Sequence, residues 1–266
     1  YERVLPHIPF LKQLRQRGSD FAIDYINAED IQTNYIDIGP VNKSLNMLSV
    51  YISSNGDSNN ERFKRHIPRI DDYLWVAEDG MKMQGYNGSQ CWDTSFTIQA
   101  IIESNLSNKF SNCLTKAYSY LNRTQIAEDE VNREYYYRHV SKGGWPFSTA
   151  AHGWPISDCT AEGLKSVLLV HTLDTISTSD RISSNRLQDA CDVILLLHNK
   201  DGGWATYENN RGYGWYEMLN PSEVFGDIMI DYSYVECTSA AITALVKFSK
   251  QYPKYRANEV WNAIQS

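Results

Sequence analysis

The sequence predicts an all-α protein built from helical repeats, because two short elements recur along the chain. The first runs from a Gln or a His through glycines to a Trp, and its copies are residues 84–92, 139–145 and 198–204. The second places a Thr where a helical apolar pattern begins, at Thr94, Thr160 and Thr238. Successive copies lie 53 to 78 residues apart, which leaves room for about two helices per repeat. Strand signals are poor, since only residues 228–234 alternate weakly.

Helices are expected wherever apolar residues recur at helical spacing. After a polar stretch over residues 1–40, this spacing begins at residues 41–53 and is followed by a solvated loop at 55–60. The pattern over residues 61–78 predicts one helix, which Pro68 kinks or splits because proline lacks a backbone N–H. Further helices are predicted at residues 108–122, 161–175, 185–199 and 239–252.

Length and composition narrow the class of protein. The chain has 266 residues, enough for one large domain or two small ones, and it begins at Tyr1, so we expect an internal piece of a longer protein. A net charge of −7 argues against a nucleic-acid-binding surface, and the absence of a run of 18 apolar residues predicts no transmembrane helix. The five cysteines are odd in number and form no Cys-x-x-Cys pair. That pattern favours reduced thiols in an intracellular protein over disulfides or a zinc site.

One stretch, residues 143–165, combines structure-breaking glycines and prolines with large aromatic side chains and an acid. Trp145, Phe147 and Trp154 precede Asp158, which stands where a helical pattern begins. This composition fits a structural turn, because Asp is an ordinary helix N-cap and aromatic residues usually lie in cores. A second interpretation is an acid in a dry aromatic pocket, where burial keeps the carboxyl protonated and ready to donate.

If the reaction were one that moves a positive charge along a polyene, it would need an acid, cation stabilisers and a dry pocket, and the sequence offers residues for each. Thiols at Cys159 and Cys237 could hydrogen-bond the carboxylate left by Asp158, since Cys237 occupies the matching position of the next repeat. Aromatic faces stabilise a cation without trapping it, at about 2 kcal/mol per desolvated contact. The aromatic candidates are Trp92, Phe147, Tyr207 and Phe225. Apolar residues around them would exclude the water that ends such a reaction early.

The string at residues 152–162, His-Gly-Trp-Pro-Ile-Ser-Asp-Cys-Thr-Ala-Glu, closely resembles the active-site motif of the eukaryotic oxidosqualene cyclases. The first recurring element, which runs from a Gln or a His through glycines to a Trp, resembles the QW motif of the triterpene cyclases. In that family the motif ties the ends of outer helices together in an α/α barrel. His139 and His198 stand where that motif usually has Gln, and we expect the tie to survive because His can donate a hydrogen bond. The resemblance implies that residues 1–266 are part of one α/α-barrel domain of a longer, two-barrel cyclase that uses no cofactor and no metal.

The same resemblance implies a role for each matching residue. Asp158 would protonate the epoxide of (3S)-2,3-oxidosqualene, with Cys159 and Cys237 as its hydrogen-bonding partners. The aromatic cation stabilisers of the family match Trp92, Phe147 and Phe225, and the tyrosine near the final deprotonation matches Tyr207. Bacterial squalene cyclases carry Asp-x-Asp-Asp instead, so the Ser-Asp-Cys sequence found here favours an epoxide substrate over a bare alkene.

Three further positions imply a product. Tyr86, His152 and Ile156 match the residues of family members that form the sterol precursor cycloartenol, whereas the animal members that form lanosterol differ at all three. Ile156 has one more methylene than the Val that other members carry, which would narrow the pocket and bias which proton leaves last. The resemblance also implies contact with a membrane surface through parts outside this chain, as a monotopic protein of the endoplasmic reticulum or lipid droplets. The piece alone is expected to be inactive.

Other classes of protein would share part of this pattern. A lanosterol or other triterpene synthase would carry the same motifs and form a different product. The β-subunit type of protein prenyltransferase is another α/α barrel, but the adjacent Asp158 and Cys159 fit the spacing of its zinc ligands poorly. A non-catalytic α/α repeat that binds lipid or acts as a scaffold would not need an acid at Asp158.

Overall fold

The computed structural model describes residues 8–174, 176–220, 226–227 and 229–266. It divides into two compact units, Tyr1–Gly88 and Ser89–Ser266. Helices make up most of both units, so the all-α prediction is confirmed. In the part of the chain that the structure describes, no helix is both long and apolar enough to cross a bilayer.

The first unit contains three α-helices, α1 (Pro9–Gln32), α2 (Pro40–Ser53) and α3 (Glu61–His66). Proline occupies the first turn of both α1 and α2, where its missing N–H would have no helical partner. The side chain of Asn60 caps α3 by accepting hydrogen bonds from the N–H groups of Arg62 and Phe63. The three helices meet around buried polar side chains, which we call the polar cluster. Its members are Asp30, Asp37, Lys43, Asn46 and His66.

The predicted split of the helix over residues 61–78 at Pro68 is confirmed, but the prediction that its last residues are helical is wrong. Helix α3 ends at His66, because Pro68 has no N–H to continue the helical ladder. A 3₁₀ segment (Ile67–Tyr73) follows, and then a β-hairpin of β1 (Leu74–Ala77) and β2 (Gly80–Met83). The strands pair antiparallel, with Leu74 opposite Met83, around a two-residue turn.

The second unit is a succession of helix pairs. Its helices are α4 (Gln90–Glu103), α5 (Ser111–Thr124), α6 (Ser157–Val170), α7 (Ser184–Leu196), α8 (Val235–Gln251) and α9 (Ala257–Gln265). Helices α4, α6 and α8 pack side by side as an inner row, and α5, α7 and α9 each pack against the preceding inner helix. In the central helix α6, 12 of 14 residues are buried. This arrangement is part of an α/α barrel, and the four helices predicted at residues 108–122, 161–175, 185–199 and 239–252 lie within a few residues of α5, α6, α7 and α8.

Each Gly-Gly-Trp sequence fastens an inner helix to the preceding outer helix. The indole Nε1 of Trp145 donates to the Leu121 carbonyl near the end of α5, at 2.9 Å. Its backbone N–H donates to Thr160 Oγ1 in the first turn of α6, at 3.0 Å. The next repeat reproduces both bonds from Trp204, to the Ile194 carbonyl at 2.7 Å and to Thr238 Oγ1 at 3.0 Å.

Thr160 and Thr238 therefore have a different role from the one predicted. Helices α6 and α8 begin three residues before them, so the two threonines are not N-caps. Thr94 also lies inside a helix, since α4 begins at Gln90. The hydroxyls of Thr160 and Thr238 accept the otherwise unpaired N–H of the buried Trp in each repeat, which explains why the two elements recur together.

The first glycine of each pair is required by its surroundings. Gly143 has a φ of +96°, and a Cβ added there would lie 2.5 Å from the backbone of Asp189 in α7. Gly202 has a φ of +88°, and an added Cβ would lie 3.0 Å from the Ser266 carbonyl at the end of α9. Only glycine allows the turn to close against the next outer helix in this conformation.

The predicted tie between helix ends is confirmed for one histidine and wrong for the other. His198 Nε2 lies 2.9 Å from Ser266 Oγ, which links the segment after α7 to the end of α9. His139 instead accepts a hydrogen bond from the N–H of Asn209, in the loop after Trp204. Gln125 makes the corresponding tie between α5 and α7, because its Nε2 donates to the carbonyls of Gly143 (2.8 Å) and Arg186 (3.0 Å).

Candidate active site

The first turns of the three inner helices bring together an acid and three thiols. Cys91 lies in the first turn of α4, Asp158 and Cys159 in that of α6, and Cys237 in that of α8. Burial raises the pKa of the Cys159 thiol well above its ordinary value, and the nearby Asp158, Cys91 and Cys237 raise it further. These thiols are therefore neutral at physiological pH and can act as hydrogen-bond donors.

Asp158 lies in surroundings that raise its affinity for a proton. Its side chain is half-buried, and burial raises the pKa of its carboxyl. The backbone N–H and the thiol of Cys159 oppose that rise because both hydrogen-bond the carboxylate, the N–H at 2.7 Å from Oδ1. Asp158 is also the second residue of α6, where the helix dipole favours a negative charge. Burial therefore favours the protonated acid, while the hydrogen bonds and the start of α6 stabilise the anion that remains after the proton leaves.

The two predicted thiol partners are placed differently around Asp158. Cys159 bonds it directly, as predicted. Cys237 is close enough for the charge of Asp158 to raise its pKa, but its hydrogen bonds join it to Thr206 Oγ1 (3.8 Å) and to Ser157. Burial is the main cause of that rise, which brings the pKa of Cys237 to about 11.

Two of the predicted aromatic side chains lie side by side. The rings of Trp92 and Phe147 have centroids 6.0 Å apart, and Phe96 packs edge-on against Trp92 at 4.7 Å. The Phe147 carbonyl accepts hydrogen bonds from the N–H groups of Cys91 and Trp92, so the loop that carries Phe147 also caps the start of α4. Phe225, the third predicted cation stabiliser, lies outside the residues that the structure describes.

Tyr207 packs against a second aromatic side chain, Trp154. Its ring meets that of Trp154 at 90°, with centroids 6.0 Å apart. The Arg138 guanidinium lies over the Trp154 ring, 3.3 Å from the ring centroid. The N–H of Tyr207 donates to Asp231 Oδ2 at 2.6 Å. Sequence reasoning missed Arg138 and Asp231, because nothing in their local spacing indicates contact with residues so distant in the chain.

The three positions predicted to determine the product belong to three different segments of the chain. Ile156 is 2% exposed, and its N–H donates to the Trp145 carbonyl just before α6 begins. His152 is fully buried, which lowers the pKa of its imidazole to about 4 and keeps the ring neutral. Tyr86 belongs to the first unit, where it is half-buried and close enough to Tyr73 to affect the pKa of that residue.

Potential metal ligands converge at one place among the described residues, the Asp30, Asp37 and His66 side chains of the polar cluster. Lys43 Nζ lies 2.7 Å from His66 Nδ1 and 3.6 Å from Asp37 Oδ2. The Lys43 amine already lies among the candidate ligand atoms, so these side chains form a buried polar network.

Comparison with known proteins agrees with this geometry. The squalene-hopene cyclase C-terminal domain matches residues 88–265. The chain is 53% identical over 254 residues to a cycloartenol synthase of Dictyostelium discoideum, covering 95% of the chain and 35% of that protein. It is 51% identical over 249 residues to the lanosterol synthase of Mus musculus, covering 93% of the chain and 34% of the relative. An alpha-onocerin synthase of Lycopodium clavatum is 39% identical over 266 residues, covering 99% of the chain and 34% of the relative.

The chain spans about a third of the length of these relatives. The range matched by the domain, residues 88–265, contains the helix pairs, the Gly-Gly-Trp sequences and the acid–thiol site described above. The chain therefore belongs to the oxidosqualene cyclase family.

Proposed function

We propose that the full-length protein carrying this chain cyclises (3S)-2,3-oxidosqualene to a sterol precursor, cycloartenol, and that Asp158 is the acid that starts the reaction. The observation that carries this proposal is the environment of Asp158. Burial favours its protonated form, while the Cys159 N–H, the Cys159 thiol and the start of α6 are ready to receive the anion.

The first step follows from that environment. The Asp158 proton passes to the epoxide oxygen, and the C–O bond breaks as the electron pair of the neighbouring alkene forms the first ring bond. The positive charge moves to the next carbon of the polyene, and the negative charge stays on Asp158. Positioned acids of this kind accelerate reactions by roughly 10²- to 10⁴-fold.

The later steps depend on groups that stabilise a cation without reacting with it. The faces of Trp92 and Phe147 are suited to this role, because a desolvated cation–π contact contributes about 2 kcal/mol. A neutral His152 adds no competing positive charge. Tyr207 is proposed to lie near the final deprotonation, and Phe225 to be a third cation stabiliser.

Cycloartenol as the product is the finer part of the proposal. The combination of Tyr86, His152 and Ile156 supports it, as does the similarity to a cycloartenol synthase. The comparable similarity to a lanosterol synthase makes lanosterol the main alternative. The buried Ile156 side chain narrows its surroundings relative to Val, which would restrict the last cation and favour loss of a methyl proton with closure of a cyclopropane ring.

The remaining expectations concern the whole protein. We propose that residues 1–266 are part of one α/α barrel of a two-barrel enzyme, which associates with the membrane of the endoplasmic reticulum or with lipid droplets through parts outside this chain. An apolar polyene substrate that dissolves in membranes supports this location. Fractionation of cells expressing the full-length protein tests it, and recovery of the protein in the soluble fraction alone would contradict it.

The decisive experiment expresses the full-length protein in a host that lacks its own cyclase, supplies oxidosqualene and identifies the products by mass spectrometry. We expect a cyclopropyl sterol from the wild type. Lanosterol or a pentacyclic product would overturn the product assignment and leave the acid chemistry standing. A folded protein that forms no cyclised product would favour a non-catalytic α/α repeat.

The same assay tests the proposed acid. Asp158→Asn removes the proton donor with little change in shape, so we expect turnover to fall by at least about 100-fold. Asp174→Asn makes the same chemical change at an exposed site after α6 and is expected to leave turnover unchanged. Wild-type turnover in Asp158→Asn would exclude Asp158 as the acid.

A further inference from the structure

A carboxylate outside the acid site binds the backbone beside it. Asp231 is half-buried in the segment that leads into α8. Its Oδ2 accepts hydrogen bonds from the N–H groups of Tyr207 at 2.6 Å and Glu208 at 3.2 Å. Consecutive backbone N–H groups turned toward one oxygen form an anion-binding arrangement, here filled by a side chain of the same chain.

The segment that Asp231 holds touches both helices that carry the acid and thiol groups. The Thr206 carbonyl accepts the N–H of Ser157, the first residue of α6, at 2.8 Å. The Thr206 hydroxyl hydrogen-bonds the thiol of Cys237 in α8 at 3.8 Å. The ring of Tyr207 packs edge-on against Trp154. A shift of this segment would therefore move Tyr207 and release Cys237 together.

Burial raises the pKa of the Asp231 carboxyl, although the N–H groups of Tyr207, Glu208 and Thr206 oppose that rise because they hydrogen-bond the carboxylate. The bonds from Tyr207 and Glu208 to Oδ2 fasten residues 206–208 to the segment that leads into α8. This geometry fits a positioning role.

We propose that Asp231 is a positioning residue, which holds residues 206–208 so that Tyr207 keeps its place against Trp154 and Cys237 keeps its place near Asp158. This inference rests on the proposed cyclisation. It assigns to Asp231 a part in the later steps, because the direct bond from Cys159 to Asp158 does not depend on it. Without Asp231, protonation of the epoxide continues, but the last proton leaves from more than one carbon and the product becomes a mixture.

The test compares Asp231→Ala and Asp231→Asn in the full-length protein, with Asp174→Asn as the control. Alanine removes both acceptor oxygens, whereas Asn keeps one and should restore part of the function. We expect kcat of Asp231→Ala to fall roughly tenfold with little change in KM, since a small displacement of positioned groups lowers the rate by 10- to 100-fold. The fraction of by-products should rise in the order wild type, Asp231→Asn, Asp231→Ala.

Two readouts that do not depend on activity accompany the kinetics. Amide hydrogen exchange at residues 207 and 208 should be roughly 10- to 100-fold faster in Asp231→Ala, because their hydrogen bonds to a charged acceptor are lost. Alkylation of Cys237, followed by mass spectrometry, should also be faster. Asp174→Asn should match the wild type in both measurements.

The outcomes separate this inference from the proposed function. Unchanged exchange at residues 207 and 208 would overturn the positioning role whether or not the protein is active. Faster exchange with wild-type kcat and product ratio would show that Asp231 matters for structure alone and would also overturn it. If the wild type forms no cyclised product, the proposed function fails, and with it the role of Asp231 in that reaction, while the exchange data still report whether Asp231 holds the segment.

Discussion

Asp37 shows how a single residue can determine the pH dependence of a unit. It lies in the polar cluster with no exposed surface, facing Glu29, Asp30 and Lys43. Burial, followed by the charge of Asp30, raises the pKa of Asp37 to about 8 although Lys43 opposes the rise. At neutral pH the folded state therefore holds a proton that the unfolded chain has released.

The sign of the resulting pH dependence follows from linkage. Between about pH 4 and pH 8 the folded state binds more protons than the unfolded state, so stability falls as pH rises through that window and levels off above it. The slope is at most about 1.4 kcal/mol per pH unit, because this carboxyl changes the number of bound protons by at most one.

Amide hydrogen exchange of the folded protein, read from the proteolytic peptide that covers residues 29–38, measures this effect. The N–H groups of residues 33–36 bond to carbonyls in the turn that leads to Asp37. We expect protection factors, corrected for intrinsic rates, to be higher near pH 5.5 than near pH 7.5. Asp37→Asn stays uncharged at both pH values and should lose most of that difference. An equal pH dependence in the variant and the wild type would contradict the assignment to Asp37.

At the scale of the elements, the repeat pairs of Trp and Thr offer a matched test. Thr160→Val and Thr238→Val remove the hydroxyl acceptors of the Trp145 and Trp204 N–H groups and keep the shape of each side chain. Each buried N–H would then lack a partner, which costs about 1–3 kcal/mol. We expect the free energy of unfolding to fall by that amount in both variants, as measured by urea denaturation.

The control for these variants is Thr115→Val. Thr115 is exposed on α5 and its hydroxyl bonds only the carbonyl one turn earlier, so we expect a change below about 0.5 kcal/mol. If Thr160→Val and Thr238→Val were no more destabilising than Thr115→Val, the hydrogen bonds between the Trp N–H groups and the Thr hydroxyls would not contribute to stability.

The elements also show which features a sequence can predict. Helices α5 to α8 were located because each carries a regular apolar face. The β-hairpin after Tyr73 was missed because the apolar run Leu74–Ala77 fits a helix or a strand equally well, and only the turn that follows decides between them. The tie made by Gln125 was missed for another reason, since its partner Arg186 lies 61 residues away and no local pattern marks it.

The same distinction holds for the candidate site. Asp158 and Cys159 are adjacent in a specific motif, so the sequence predicted them together. The matching repeat position also predicted that Cys237 would come near Asp158, and the charge of Asp158 raises the pKa of the Cys237 thiol. Asp231 and Arg138 act through contacts between distant segments, and only the fold reveals them.

On the scale of the whole molecule, the two units are stabilised in different ways. The second unit has a continuous apolar core, whose buried members all lie between Cys91 and Ala263 and include the side chains of Trp145 and Trp204. The first unit contains the polar cluster and few buried apolar side chains. Its helix α2 leaves a row of apolar side chains about half exposed, namely Val41, Leu45, Leu48 and Ile52. Burying apolar surface is the main favourable term in folding, so this difference should appear when the units are separated.

We therefore expect residues 89–266 to fold when expressed alone and residues 1–88 to fail to do so. The fragment of residues 89–266 should show a helical circular dichroism spectrum and a cooperative urea transition, and it should be inactive toward oxidosqualene. The fragment of residues 1–88 should show little helix and rapid proteolysis. A core centred on buried polar and charged groups offers little apolar stabilisation to offset the entropy of ordering the chain. A non-cooperative transition in residues 89–266 would show that its apolar core depends on segments outside that range.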